Sequence, residues 1–454
     1  MRFLKLVLWV IVLTVLVGAP AAWYWAGRQP GPTITINSPE QYVGRSTPLS
    51  ITFESPTEIT GASFYIDQDG KPLPVPELKQ ERSDGRLVLT GTIGGQSQAG
   101  MVNGPATLIV EASRKTLYDL RTVYSTARRP LTVRLDPPRV AVVSLHHFIN
   151  YGGAEFVVVR ATPEDVEAGI QVGDARYPVY PGSAVGLTDP ALRVGFFAWR
   201  HDQDAKTRVT AYARDAAGNQ VTAPVEHKPF PKRFLDSRIP IDQRFLDRVV
   251  PAIASNTPEL KIDTGSPEGL LKGFLEINGN LRRKNNDAIA ALAAKTQPKM
   301  LWTDAFAPMG NAQVESRFAD RRTYFHDDKE IDRQVHLGFD LASLQQAPVQ
   351  ASNAGIVVFA DYLGIYGNCV IIDHGLGVQT LYAHLSTITT KAGETVTKGQ
   401  QIGRTGSTGL AGGDHLHFTV LLQGTPVNPV EWWDGHWMED RVFRKVREAG
   451  GTVR

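Results

Sequence analysis

From Leu6 to Ala26 the chain runs 21 residues without a charged side chain. A helix of that length, at about 1.5 Å per residue, matches the roughly 30 Å hydrocarbon core of a bilayer. Arg2 and Lys5 precede the run, Trp23, Tyr24 and Trp25 crowd its far end, and Arg28 follows. Basic residues before a span favour a cytoplasmic N-terminus, and aromatic residues belong at the opposite interface. Residues 1–28 are therefore expected to form a single-pass membrane anchor, with the bulk of the chain outside the cytoplasm. A cleavable signal peptide is the rival, because Ala19-Pro20-Ala21 has the small-x-small form of a cleavage site. Both readings export the rest of the protein.

At about 150 residues per domain, 454 residues suggest roughly three domains. Lys+Arg 48 against Asp+Glu 46 leaves no basic surplus, which argues against a nucleic-acid partner. The single cysteine, Cys369, excludes an internal disulfide framework and a cysteine-based zinc finger. Metal or catalytic chemistry must then come from His, Asp, Glu or Ser.

Residues 30–230 read as short alternating strands. Leu49, Ile51 and Phe53 fall on every second position, the period of a half-buried strand. Gly 42 and Pro 29 supply frequent turns. Ala106–Arg114 (ATLIVEASR) weakly resembles Thr207–Arg214 (TRVTAYAR), about one hundred residues later. The expectation is a mostly β protein with two immunoglobulin-like sandwich modules, 30–135 and 136–230. Between 231 and 300 the period turns helical. Ser266 is placed as an N-cap before Pro267, and Leu270, Leu271, Phe274 and Leu275 recur at helical spacing. This segment is expected to be a spacer packed on its neighbours, or a regulatory cover over a site that follows. Strands return in 301–435, predicting a C-terminal antiparallel β domain, and 436–454 reads as a helical tail packed on that domain.

Five of the eleven histidines lie between His336 and His417. His415 and His417 stand at i and i+2, so on a strand they share one face with Thr419, opposite Leu416, Phe418 and Val420. His336 and Asp340 would be about 13 Å apart on a straight strand, too far to share one ion, but Gly338 between them permits a bend. A His/Asp pair plus one histidine from another strand gives an N/N/O set with a fourth tetrahedral position free, the mark of a catalytic zinc site. His384 sits in a third motif, Tyr382-Ala383-His384-Leu385.

H-x-x-x-D, then Y-A-H-L, then H-L-H, in this order with a Gly-rich loop before the last, resembles the lysostaphin-like (LytM-type) zinc peptidoglycan endopeptidases. The resemblance covers about residues 305–430. It implies that His336, Asp340 and His417 hold one Zn2+ per chain, and that His384 and His415 are the catalytic non-ligand histidines. Which of the two acts as base does not follow. Asp414 stands where that family often has proline, and Thr419 where it often has an acidic residue; neither is expected to touch the ligand set.

Other features have plainer readings. Gly403–Gly413 is followed by a strand, unlike a nucleotide loop, and is expected to rim the groove. His374 is placed at a turn, His146 and His147 in the structural part of the second module, and Cys369 in a buried strand. Asp327, Asp328 and Glu330 read as a solvated loop tip. Arg317, Arg321 and Arg322 either face substrate carboxylates or form a solvated basic edge. The resemblance implies a zinc metalloendopeptidase that hydrolyses peptide cross-links in peptidoglycan, anchored in the bacterial inner membrane with its bulk periplasmic. A silent regulator that activates another wall hydrolase is the alternative. The β modules are candidate surfaces for a protein partner.

Overall fold

The computed structural model describes residues 2–75 and 77–452; Met1, Pro76, Val453 and Arg454, at the edges of the expected anchor and tail and within the first module, lie outside the described residues. The chain is mostly β. It forms two compact units. One holds the residues up to Pro138 with Asp165–Glu167 and Arg214–Val221. The other holds Arg139–Glu164, Ala168–Ala213 and Thr222–Arg454.

The first unit begins with the helix Arg2–Ala26, which is long and apolar enough over Phe3–Ala26 to cross a membrane. A four-stranded sheet and a five-stranded sheet follow. Leu49, Ile51 and Phe53, on alternate positions of Thr47–Glu54, are buried with Leu108 and Val110 of Gly104–Thr116 in one core. The period read in the sequence is thus the inward face of the strand.

In the second unit, Ala154–Thr162 lies between Arg139–Val142 and Leu192–Ala198 in a four-stranded sheet. The histidine-rich region forms a larger sheet. Its central order is Phe339–Ala342, Leu416–Leu422, Val378–Leu385, Asn368–Gly375, Gly355–Tyr362, with antiparallel neighbours. Cys369 is buried there, as expected, and burial raises its thiol pKa.

The 231–300 segment is not helical throughout. Asp236–Pro240 is a strand, paired in parallel with Asp320–His326. The helix Gln243–Ser255 follows, its first turn capped by Asp242, whose carboxylate accepts from the Phe245 amide. Ser266 caps Pro267–Glu276 by accepting from the Gly269 amide, as the sequence indicates. A π turn, Ile277–Leu281, leads into Arg282–Ala291. Helical period was visible in this segment; a strand that borrows its partner from eighty-five residues downstream was not.

The tail is helical over Gly435–Met438, Glu439–Phe443 and Arg444–Glu448 and sets the Phe443 ring 5.9 Å from that of Trp302. It does not pack simply as a helix on the histidine-bearing sheet. Lys445, in the helix Arg444–Glu448, is fully buried and donates to Glu155 Oε1 at 2.7 Å and to the Phe156 carbonyl at 2.9 Å, both on the Ala154–Thr162 strand. An amphipathic pattern tells which face is apolar, not which neighbour it covers. Glu431, in the helix Pro429–Trp433, likewise accepts from Asn150 Nδ2 and the Ala154 amide, each at 2.8 Å.

Candidate metal centre

Three strand registers bring the motifs together. Asp340 lies opposite His417 on one side of Leu416–Leu422, and Ala383 lies opposite His417 on the other. His336 ends the strand Lys329–His336 and reaches the same point through the Leu337-Gly338 connection. A β-carbon on Gly338 would stand 2.6 Å from the His417 ring and from Thr419 Oγ1, so the position demands glycine for close approach.

His384 arrives differently. Tyr382 pairs with Phe418, and their rings meet at 5.3 Å on the face away from His417. Strict alternation would send His384 to that same face. Instead His384 has φ +62°, a left-handed conformation costly for a residue with a β-carbon. Its ring consequently lies 4.9 Å from that of His415 and 5.8 Å from that of His417.

His336, Asp340 and His417 form a compact triad. His336 Nε2 is 2.9 Å from Asp340 Oδ1 and 3.0 Å from His417 Nδ1, and His417 Nδ1 is 3.0 Å from Asp340 Oδ1. A tetrahedral ion with bonds near 2.0–2.1 Å keeps its donor atoms roughly 3.3 Å apart, close to this triangle. The protons decide what the triangle is for. His336 Nδ1 is 3.1 Å from the Arg317 carbonyl, which can only accept, so Nδ1 carries the hydrogen and Nε2 is a bare lone pair. Thr419 Oγ1 donates to the Leu337 carbonyl and lies 3.1 Å from His417 Nε2, so it accepts from that ring and leaves Nδ1 bare. Three lone pairs therefore converge with no proton among them, and such a cluster fits a cation. Thr419, expected to stand clear of the ligand set, in fact fixes the tautomer of His417.

Asp340 offers a single oxygen to the centre because Arg322 donates to its Oδ2 at 2.8 Å. Burial would raise the Asp340 pKa, but the surrounding histidines, His336 foremost, hold it well below the carboxylate range. Arg322 is thus an internal support of the triad, with Ser316 Oγ as a second acceptor at 2.8 Å. Arg321 instead pairs with Asp236 at the surface.

His384 and His415 both donate Nδ1–H to carbonyls, of Thr408 at 2.8 Å and Gly413 at 2.9 Å, and so both present Nε2 to the centre. Burial, with His415 and His417 alongside, keeps the His384 pKa well below its usual value. Burial lowers that of His415 too, but hydrogen bonding to Asp340 and its charge outweigh it and the net shift is upward. Burial brings His417 down to about 4. His374 and His147 are buried with carbonyl and hydroxyl partners of their own, outside the centre.

The centre is roofed. All five residues are buried, and they line a cavity of about 250 Å3 whose other walls include Ile241, Phe245, Phe274 and Arg282. Arg248 donates to the carbonyls of Ala411 and Gly412, tying the Gln243–Ser255 helix to the Gly-rich rim. Tyr366, 5.7 Å from the His417 ring, donates to Asn286 on the Arg282–Ala291 helix. Tyr366 carried no sequence signal, and Arg322 and Thr419, though singled out in the sequence, take these roles only through the packing.

The buried N/N/O triad on one face of an antiparallel sheet, with the Nε2 atoms of His384 and His415 beside it, is a candidate metal site of the kind that catalytic zinc centres use. Residues 334–429 match Peptidase family M23, and the chain carries an M23 peptidase domain there. Over 97 residues it is 47% identical to the DD-carboxypeptidase/endopeptidase Mpg of Neisseria meningitidis, covering 21% of this chain and 22% of that one. Over 163 residues it is 31% identical to the peptidoglycan DD-endopeptidase ShyA of Vibrio cholerae, covering 36% and 34%. The chain thus spans between 22% and 34% of the length of these curated relatives. The crystal structure of a zinc-containing peptidase from Vibrio cholerae aligns with 78% of this chain and 84% of its own, at 15% identity and a TM-score of 0.27.

Proposed function

We propose that this protein is a membrane-anchored zinc metalloendopeptidase that cleaves peptide cross-links in peptidoglycan. The observation that carries the reading is the proton-free triangle of His336 Nε2, Asp340 Oδ1 and His417 Nδ1. The names of the two relatives support a DD cross-link as substrate, and the apolar Phe3–Ala26 helix supports anchoring with the N-terminus cytoplasmic.

His336, Asp340 and His417 would hold the ion, and zinc, when bound, supplies the Lewis acidity that polarises a peptide carbonyl and lowers the pKa of water. Arg322 occupies Asp340 Oδ2 and would leave Oδ1 for the ion. Thr419 and the Arg317 carbonyl hold both ligand rings in the metal-binding tautomer. His384 and His415 supply one proton acceptor and one donor: one takes a proton from the attacking water, and the other stabilises charge on the carbonyl oxygen and delivers a proton to the leaving amine.

Residues 236–291 act as a cover. Phe245 and Phe274 close the cavity over the histidines, and Arg248 latches the cover to the rim, so the peptidase rests closed until the segment is displaced. The test is release of cross-linked fragments from purified peptidoglycan by the zinc-loaded full chain in detergent, read by mass spectrometry. Wild type is expected to cleave slowly, Arg248→Glu faster, and His417→Ala not at all. Zinc bound without cleavage in either wild type or Arg248→Glu would favour the regulator that activates another hydrolase.

A further inference from the structure

A second cavity, of about 420 Å3, opens behind the metal centre. Its floor is aromatic. Phe318 and Phe339 are buried, and Trp433 meets the Phe339 ring at 5.3 Å in an edge-on arrangement. The Trp433 indole N–H is buried without a hydrogen-bond partner. Aliphatic side chains stand at the mouth, with Leu235 54% and Val430 45% exposed.

Three exposed cations line the same cavity: Lys232, Arg233 and Arg317. Among the described residues, the side chains of Arg233 and Arg317 have no ion-pair or hydrogen-bond partner, and Lys232 acts on the buried Glu431 carboxylate only through its field. Neighbouring arginines elsewhere in the unit are paired: Arg321 with Asp236, and Arg322 with Asp320 and Asp340. Unpaired cations around an apolar hole are complementary to carboxylates flanking a bulky apolar group.

We propose that this cavity is a docking site for an acidic peptide segment of a partner protein, with one bulky apolar side chain seated on the Phe318, Phe339 and Trp433 floor. The site has two links to the metal centre. The Arg317 carbonyl holds His336, and Lys232–Leu235 leads directly into the Asp236–Pro240 strand at the root of the cover. A seated peptide therefore acts on the cover, a consequence that rests on the proposed function.

The full chain in detergent would be immobilised and panned against a randomised nine-residue peptide library, with Arg233→Glu/Arg317→Glu and Leu235→Ser variants in parallel. Enriched peptides are expected to carry two or more acidic residues beside a large apolar one. Their binding should weaken with salt and fall at least tenfold in the charge-reversed variant. Melting temperatures report whether each variant is folded, and Leu235→Ser, with an expected severalfold loss, decides the matter should the double variant unfold. Enrichment of neutral or basic peptides, equal binding by folded variants, or no enrichment would overturn the proposal. So would binding of muropeptides or phosphatidylglycerol vesicles, in place of peptides, with the same charge dependence. The enriched peptide should raise fragment release at least threefold. Binding without that increase removes the link to the cover, and absence of release even from Arg248→Glu marks failure of the hydrolase reading instead.

Discussion

The second unit contains two buried clusters of ionisable groups, and they are wired in opposite senses. Around Glu155 every acceptor faces a donor. Lys445 Nζ meets Oε1, the Phe148 amide meets Oε2 at 2.9 Å, and Glu431 takes Asn150 and the Ala154 amide. In the M23 centre the donors point outward, to the Arg317 and Leu337 carbonyls and to Thr419, leaving lone pairs inside. The first cluster is electrostatically closed and holds the tail on the sheet. The second leaves its lone pairs without donors, the arrangement on which the proposed metal site rests, and so the two clusters differ in wiring at equal burial.

The largest effect should come from breaking the open cluster. His417→Ala is expected to abolish fragment release, by at least about 10³-fold given the loss of a ligand and its Lewis acidity. Chelation should do the same and lower the melting temperature, because an ion bound to the folded state stabilises it. Breaking the closed cluster should affect stability instead. Lys445→Met strands the Glu155 carboxylate and is expected to cost about 3–5 kcal/mol in denaturant unfolding. Zinc affinity per folded molecule, read by titration calorimetry, should stay unchanged.

Glu431 tests the closed cluster by pH. Burial raises its pKa from 4.5 to about 7, against the hydrogen bonds from Asn150 and Ala154. The folded state then holds this proton more tightly than the unfolded one. The contribution is full below pH 4.5 and is lost as pH rises towards 7, up to about 3 kcal/mol at 1.36 kcal/mol per unit. Buried His147 and His374, lowered to about 4, act in the opposite direction, so the quantity to measure is the difference between wild type and Glu431→Gln. That difference should shift against wild type between pH 4.5 and 7 and be flat above.

The smallest effect sharpens the tautomer argument. Thr419→Val removes the acceptor of the His417 Nε2–H and should weaken zinc binding about 10–100-fold, with the fold intact. Unchanged affinity in a competition assay would show that the ring needs no such partner.

Much of the site was legible because it is local. The i, i+2 histidines define a strand face from period alone, and the motif order identified the family. Thr419 was on the correct face but without a visible role, because its hydroxyl is committed by the Leu337 carbonyl, eighty-two residues away. Arg322 remained ambiguous between surface and site, since only the pairing of Asp320–His326 with Lys329–His336 turns it inward beside Asp340.

The sequence by itself determined the apolar span, the inward period of the strands, the Ser266 cap and the residue types able to bind a metal, because each depends on side chains a few positions apart. Tertiary structure alone decided where those pieces meet. It set the left-handed His384 that reverses the strand's alternation, the strand at 236–240 that pairs with Asp320–His326, and the Lys445 that closes on Glu155. These depend on register and burial between distant segments, where the energy of a contact is fixed by neighbours that no local pattern names.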